Sequence, residues 1–123
     1  MASRTGAISR ATAYLDSGKF EADLARRVAI PTQSQTPEGL PHLTRYLDEE
    51  MTPSFEAIGF TCQKFENPAA GAGPVLLATR IEDPSLPTVL GYGHGDVIRG
   101  LDDQWTKGAG PWKTQRDGDR LYG

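Results

Sequence analysis

The stretch at residues 89–97 constrains the fold more than any other part of this sequence. It begins within an apolar run, residues 88–92, that predicts a central strand buried on both faces, since such strands lose the usual polar alternation. A glycine-rich turn follows and carries His94 and Asp96, one residue apart. A buried strand that ends in this way is a common means of directing a metal ligand and its supporting carboxylate into a cleft.

Three helices are expected before that strand. Helices are predicted at residues 7–15, 20–30 and 42–58, and in the last two the apolar residues recur at helical spacing. The second helix is expected to stop at Ile30, because Pro31 disfavours helical geometry in the residue before it. Pro53 is expected to kink or restart the third helix. Gly59 suits the position after its end, where Phe60 can pack back across the cap.

Strand patterns follow the helices. Residues 60–65 and 75–81 are predicted to pair as a hairpin around a long connection. After residue 96 the composition is typical of a long active-site loop, followed by a short edge hairpin at Asp117 and Gly118. Helices followed by strands, one of them buried on both faces, predict an α/β layered domain with a thin core.

His94 and Asp96 are the candidate site residues. In an extended segment residues i and i+2 point to the same side, so the two side chains can converge, while Gly93 and Gly95 let the backbone approach closely. A neutral imidazole binds zinc through one nitrogen, and its other N–H seeks an acceptor, a role that Asp96 can fill. The reverse assignment, with Asp96 as the ligand and His94 as an acid–base group, remains open. A structural or surface pair is the simplest alternative.

Composition excludes several classes of function. The formal charge is −3 and the isoelectric point is near 5.3, and Lys and Arg form no dense cluster, so we expect no nucleic-acid partner and no binding to a membrane. A single cysteine, Cys62, rules out an intrachain disulfide and a thiolate zinc cage, and is expected to be a buried, inert thiol. No secretory leader or membrane-spanning run is evident, which makes a cytoplasmic location the default.

Other polar and aromatic residues are expected to have structural roles. His42 is predicted to lie at a helix start or on the surface, and Trp105 and Trp112 are predicted to pack the long loop. The acidic pair at 102–103 suits a solvated turn, and the acidic run at 48–50 suits an exposed helix face, because consecutive helical residues fan out around the axis.

Several spaced motifs, taken together, resemble one family. Residues 93–97, Gly-His-Gly-Asp-Val, look like the first metal-site motif of the co-catalytic zinc metallopeptidases, which include acetylornithine deacetylase, succinyl-diaminopimelate desuccinylase, aminoacylases and glutamate carboxypeptidase. The order of motifs downstream is also similar, and so are residues 28–32 and 47–60 upstream. The downstream motifs are Trp105, Gly110-Pro111-Trp112, Asp117-Gly118 and Leu121-Tyr122-Gly123. The resemblance covers most of the chain from about Phe20 onward.

The resemblance implies a function and a fold. His94 corresponds to a ligand of one of two zinc ions, with cobalt or manganese chemically tolerable, and Asp96 to the catalytic-site residue that orients it. The implied reaction is hydrolysis of an amide or peptide bond in a small peptide or N-acyl amino acid. The implied fold is a three-layer α/β/α domain with a mixed sheet, of which residues 1–123 are the amino-terminal portion, in a parent enzyme that forms a homodimer.

Two expectations limit the function that the resemblance implies. The family often continues with Val-Pro after the Asp-Val pair, whereas Ile98, Arg99 and Gly100 follow here, which leaves the substrate class open. Arg99 could meet a substrate carboxylate, although a solvated arginine is the simpler expectation. Because one ligand cannot build a zinc hydrolase site, this chain alone is expected to be inactive. The alternative is a non-catalytic truncated remnant or interaction module.

Overall fold

The computed structural model describes residues 3–123, which form a mixed α/β structure with two small antiparallel sheets. Short 3-10 turns lie at Pro37–Gly39 and Asp102–Gln104, and a π-helical turn lies at Leu47–Met51. The regular elements, in chain order, are α1 (Arg4–Asp16), α2 (Lys19–Val28), α3 (Leu40–Tyr46), α4 (Thr52–Glu56), β1 (Thr61–Phe65), β2 (Val75–Thr79), β3 (Gln115–Asp117) and β4 (Arg120–Tyr122).

The chain divides into two compact units. The terminal unit runs to residue 29 and resumes at residues 102–123, and the central unit comprises residues 30–101. None of the helices in the described part of the chain combines the length and the apolar composition needed to cross a membrane.

The terminal unit contains α1, α2 and the hairpin of β3 and β4. The first helix begins three residues before the predicted start, because the Ser3 hydroxyl accepts a hydrogen bond from the Gly6 N–H at 3.1 Å and caps the helix. Gly18 has a φ of 77°, a left-handed conformation that suits glycine, and separates α1 from α2. The predicted hairpin is confirmed, with Asp117 opposite Arg120 and Gly118 at a φ of 61° in the turn.

Tyr14 and Asp23 connect the first two helices. The Tyr14 hydroxyl donates a hydrogen bond to the Asp23 carboxylate, and the Tyr14 and Phe20 rings lie edge to face, 6.0 Å apart. The hydrogen bond from Tyr14, followed by that from Arg26, lowers the pKa of Asp23. The same hydrogen bond is the main cause of a raised pKa at Tyr14.

These shifts predict a pH-dependent contribution to stability. The lowered Asp23 pKa contributes stability that is present above about pH 4 and is lost as the pH falls through the folded-state pKa. The raised Tyr14 pKa contributes stability that is present below about pH 10 and is lost as the pH rises through the folded-state pKa. We therefore expect Tyr14→Phe to lower the free energy of unfolding modestly at neutral pH and less in acid. Urea unfolding of both proteins at several pH values tests this. An equal difference at neutral and acid pH would contradict it.

In the central unit, one helical stretch follows residues 30–36 and leads into the hairpin of β1 and β2. The predicted kink at Pro53 takes the form of the π-helical turn immediately before α4, since proline has no N–H to donate to the carbonyl of Glu49. Gly59 ends the helix at a φ of 87°, and the Phe55 and Phe60 rings lie 5.3 Å apart across it, as predicted. The predicted hairpin is also confirmed, with Gln63 opposite Leu77.

The prediction of a buried strand at residues 88–92 is wrong for this structure. This segment belongs to no strand, and its residues are almost fully exposed: 90% for Val89 and Leu90, and 91% for Tyr92. A strand requires a neighbour that accepts and donates its ladder hydrogen bonds. In the described structure β1 pairs only with β2 and β3 only with β4, so no strand forms a hydrogen-bonded ladder with this segment.

The enclosed apolar core is small, as the composition indicates. Among the described residues, Ile30 and Leu43 are the buried apolar side chains, at 4% and 8% exposure. Thr32 and Glu50 are also buried. The burial of Glu50 corrects the expectation of a fully exposed acidic run: Asp48 pairs with Lys64 and Glu49 with Arg45 on the surface, while the next residue turns inward.

Candidate functional site

The turn that carries His94 and Asp96 is attached to the start of the central unit by a parallel β-bridge. Gln33 pairs with Val97 in this bridge. The Val97 N–H donates to the Thr32 carbonyl at 2.9 Å, and the Ser34 N–H donates to the Val97 carbonyl at 3.2 Å. The turn is therefore fixed in the fold through residues more than sixty positions earlier in the chain.

Side chains of the same early segment strengthen this attachment. The Thr32 hydroxyl donates to the Gly95 carbonyl at 2.6 Å, and the Ser34 hydroxyl donates to Asp96 Oδ2 at 2.7 Å. The Gln33 side-chain oxygen accepts from the Gly100 N–H at 3.2 Å. Residues 32–34 thus hold both the backbone of the turn and the carboxylate that it presents.

His94 and Asp96 converge, as their spacing predicts. The His94 Nδ1 lies 3.1 Å from Asp96 Oδ1 and 3.1 Å from the Asp96 carbonyl oxygen. The side chains are 67% and 45% exposed, respectively, so the pair lies at the surface of the central unit. The two side chains are in contact at a position that solvent and a ligand can reach.

The partners of Nδ1 determine which nitrogen of the neutral ring carries the proton. Both partners are oxygen acceptors, and neither an ionised carboxylate nor a carbonyl can donate. The neutral imidazole therefore carries its hydrogen on Nδ1, which leaves the Nε2 lone pair available to an external partner. This is the arrangement in which a supported histidine ligates a metal.

Asp96 is held in its ionised form. The hydrogen bond from Ser34 is the largest influence and lowers the pKa of the carboxyl, partial burial raises it, and the contact with His94 lowers it. Both carboxylate oxygens already have a partner, one in Ser34 and the other in His94. This arrangement favours Asp96 as the support of His94 over the alternative in which Asp96 is itself the ligand.

Gly95 permits a close contact with α3. A Cβ atom on Gly95 would lie 2.2 Å from Cε1 of the Tyr46 ring, far inside contact distance. Of the two glycines expected to permit close approach, only Gly95 does so, because a Cβ on Gly93 would meet nothing within 4 Å.

The surroundings of the other candidate residues differ from one to the next. His42 is half-buried in α3, and Arg99 is exposed. In the terminal unit the Trp112 indole N–H donates to Asp102 Oδ1 at 3.1 Å, across a shallow surface depression lined by residues 109–113. Trp105 is 38% exposed. Across residues 3–123 no group of three His, Cys, Asp or Glu side chains is arranged to hold a metal ion.

Cys62 is only half-buried, which corrects the expectation of a fully buried thiol. Its sulfur lies 3.9 Å from the Thr52 carbonyl, and desolvation is the main cause of a raised thiol pKa. A raised pKa lowers the fraction of reactive thiolate, so the expectation of an unreactive cysteine agrees with its surroundings.

Thr32 and Ser34 are the residues of the site that the sequence did not reveal. They lie in a stretch that reads only as a polar loop between helices. The only local signal is a hydroxyl on alternate residues, a spacing that places both on one side wherever the chain is extended. The pairing of this segment with Val97 is known only from the folded chain.

Comparison with known proteins adds no assignment. No protein-family profile matches the sequence, and neither a curated protein nor a solved structure matches it significantly.

Proposed function

We propose that His94 and Asp96 form one ligand arm of a zinc-dependent hydrolase that cleaves amide or peptide bonds. The observation that carries the proposal is the pairing of Nδ1 with Asp96 Oδ1 at 3.1 Å, which leaves Nε2 as the ligating nitrogen on an exposed turn. The resemblance of residues 93–97 to the first metal motif of the co-catalytic zinc metallopeptidases supports the same roles for the same two residues.

The donor set fits one position of a zinc coordination shell. A catalytic zinc ion takes about three protein ligands and keeps one position open, and residues 3–123 contain no cluster that supplies three. In this proposal the remaining ligands come from polypeptide other than residues 3–123, and the chain alone is inactive. The whole enzyme would be a cytoplasmic homodimer, with residues 1–123 as the amino-terminal part of a three-layer α/β/α domain with a mixed sheet.

The residues of the turn have distinct tasks in the proposed chemistry. The chemistry that zinc supplies when bound is Lewis acidity toward a carbonyl oxygen and activation of a water molecule. His94 binds through Nε2, and Asp96 fixes the orientation and the tautomer of the ring without itself exchanging a proton. The substrates proposed are small peptides or N-acyl amino acids, and cobalt or manganese would serve in place of zinc.

Metal titration of the chain followed by NMR tests the ligand role of His94. Cobalt(II) is a suitable probe, because it is paramagnetic and broadens the resonances of the imidazole that it binds. We expect weak binding that broadens His94 at lower cobalt concentration than His42, the internal control. Asp96→Asn is expected to weaken the apparent affinity at His94 about tenfold, the lower end of the effect of removing a support of a ligating histidine.

Two results would contradict the proposal. One is equal broadening of His42 and His94, which would mean that the turn offers no better ligand than any accessible histidine. The other is an unchanged cobalt affinity at His94 in the Asp96→Asn protein. Hydrolysis of N-acetyl amino acids by the purified chain, abolished in His94→Ala, would support the metal role but refute the statement that the chain alone is inactive.

The alternative is a non-catalytic interaction module, and one observation favours it. Val89, Leu90 and Tyr92 are all exposed within four consecutive residues, which is unusual for apolar residues that serve no contact. Equal cobalt binding at both histidines would leave this alternative as the better account of the chain.

A further inference from the structure

Ser34 lies outside the turn, and its side chain contacts the His94–Asp96 pair. Its hydroxyl donates to Asp96 Oδ2 at 2.7 Å, while Oδ1 of the same carboxylate faces His94 Nδ1 at 3.1 Å. The three side chains form one line of contacts, Ser34 to Asp96 to His94, in which each carboxylate oxygen has one side-chain partner. Without the Ser34 hydrogen bond, the carboxylate group could rotate and break its contact with His94.

The Ser34 hydroxyl is itself fixed by the backbone. The Ser34 N–H donates to the Val97 carbonyl at 3.2 Å, and the Val97 N–H returns a bond to the Thr32 carbonyl at 2.9 Å. The backbone that carries Ser34 is therefore bonded to the residue directly after Asp96. Since donor and acceptor stand on two paired segments, little conformational freedom is lost when the side-chain hydrogen bond forms.

We propose that Ser34 is a positioning residue that holds the Asp96 carboxylate against His94 and thereby keeps the neutral imidazole in the Nδ1–H tautomer. The inference rests on the proposed function, because a free Nε2 lone pair is useful only to an external ligand such as a metal ion. Ser34 itself touches neither that ligand nor a substrate in this assignment. Its influence passes entirely through Asp96.

The tautomer of His94 measures this role directly. Nitrogen-15 chemical shifts of the ring at about pH 8.5, where an ordinary imidazole is neutral, give the ratio of the Nδ1–H to the Nε2–H form. We expect Ser34→Ala to lower that ratio about threefold, in line with the loss of one modest hydrogen bond. The effect is partial because the Asp96 carbonyl oxygen, also 3.1 Å from Nδ1, remains as an acceptor.

Two variants serve as controls. Ser34→Thr keeps a hydroxyl and is expected to keep the ratio of the wild-type protein. Ser85→Ala removes another serine–carboxylate hydrogen bond, that to Asp83 Oδ1 at 2.7 Å, which lies outside the turn. This second change is expected to leave the His94 ratio unaltered.

An unchanged ratio in Ser34→Ala, with the Val97 amide still protected from hydrogen exchange, would overturn the proposal. If the Val97 amide is no longer protected in Ser34→Ala, the ratio is measured in Ser34→Cys instead, since a thiol is nearly isosteric with the hydroxyl but a weak donor. A wild-type ratio in Ser34→Cys would equally overturn the proposal, and a lowered ratio would support it. No metal is added in these measurements, so their outcome does not depend on whether cobalt binds His94.

Discussion

Replacing Gly39 with alanine is expected to destabilise the central unit by about 3 kcal/mol, because overpacking against a fixed backbone forces the chain to move. A Cβ atom at this position would lie 1.7 Å from the Gln33 carbonyl oxygen and 2.8 Å from its carbonyl carbon. The Gly39 φ of −77° is ordinary for alanine, so the effect arises from the contact alone.

The consequence of Gly39→Ala reaches the candidate site. Gln33 is the residue that pairs with Val97, so displacement of its backbone strains the bridge that holds the turn. Urea unfolding gives the loss of stability, and hydrogen exchange at the Val97 amide reports on the bridge. Gly91→Ala is the matched control, since a Cβ there meets nothing within 4 Å and the expected change is below about 0.5 kcal/mol. Equal stability of the two variants would show that Gly39 does not approach Gln33 in solution.

Gly95→Ala is expected to have the second largest effect, a loss of about 2 kcal/mol. The added methyl group would meet the Tyr46 ring at 2.2, 2.8 and 2.9 Å, and a rigid aromatic ring cannot yield by a small side-chain rotation. The turn must therefore move away from α3, which disturbs the neighbouring contact between His94 and Asp96.

A double-mutant cycle isolates this contact. In a Tyr46→Ala background the methyl group has space, and Gly95→Ala is expected to cost less than about 0.5 kcal/mol. Gly93→Ala, in the same turn but in open space, is the control for a glycine replacement as such. If Gly95→Ala is equally damaging with and without the Tyr46 ring, the close approach is not the cause of its effect.

The sequence predicted the local elements well. The three predicted helices, the third of them interrupted at Pro53, and both hairpins follow from apolar spacing and from proline and glycine positions, all of which act within a few residues. The shared direction of His94 and Asp96 follows from the two-residue repeat of an extended chain. These features depend on residues close together in the sequence, so the sequence alone is sufficient to predict them.

The tertiary structure alone decided which distant segments meet. The apolar run at 88–92 has the composition of a buried strand, yet it is exposed because a strand exists only beside a hydrogen-bonding neighbour, and the described residues offer it none. Ser34 reads as part of a polar loop, yet the bridge between Gln33 and Val97 carries its hydroxyl to Asp96. The sequence by itself thus determined the local geometry of the His94–Asp96 turn. Its anchoring to Thr32, Ser34 and Tyr46 required the fold, because no local pattern encodes which segments more than forty residues apart come into contact.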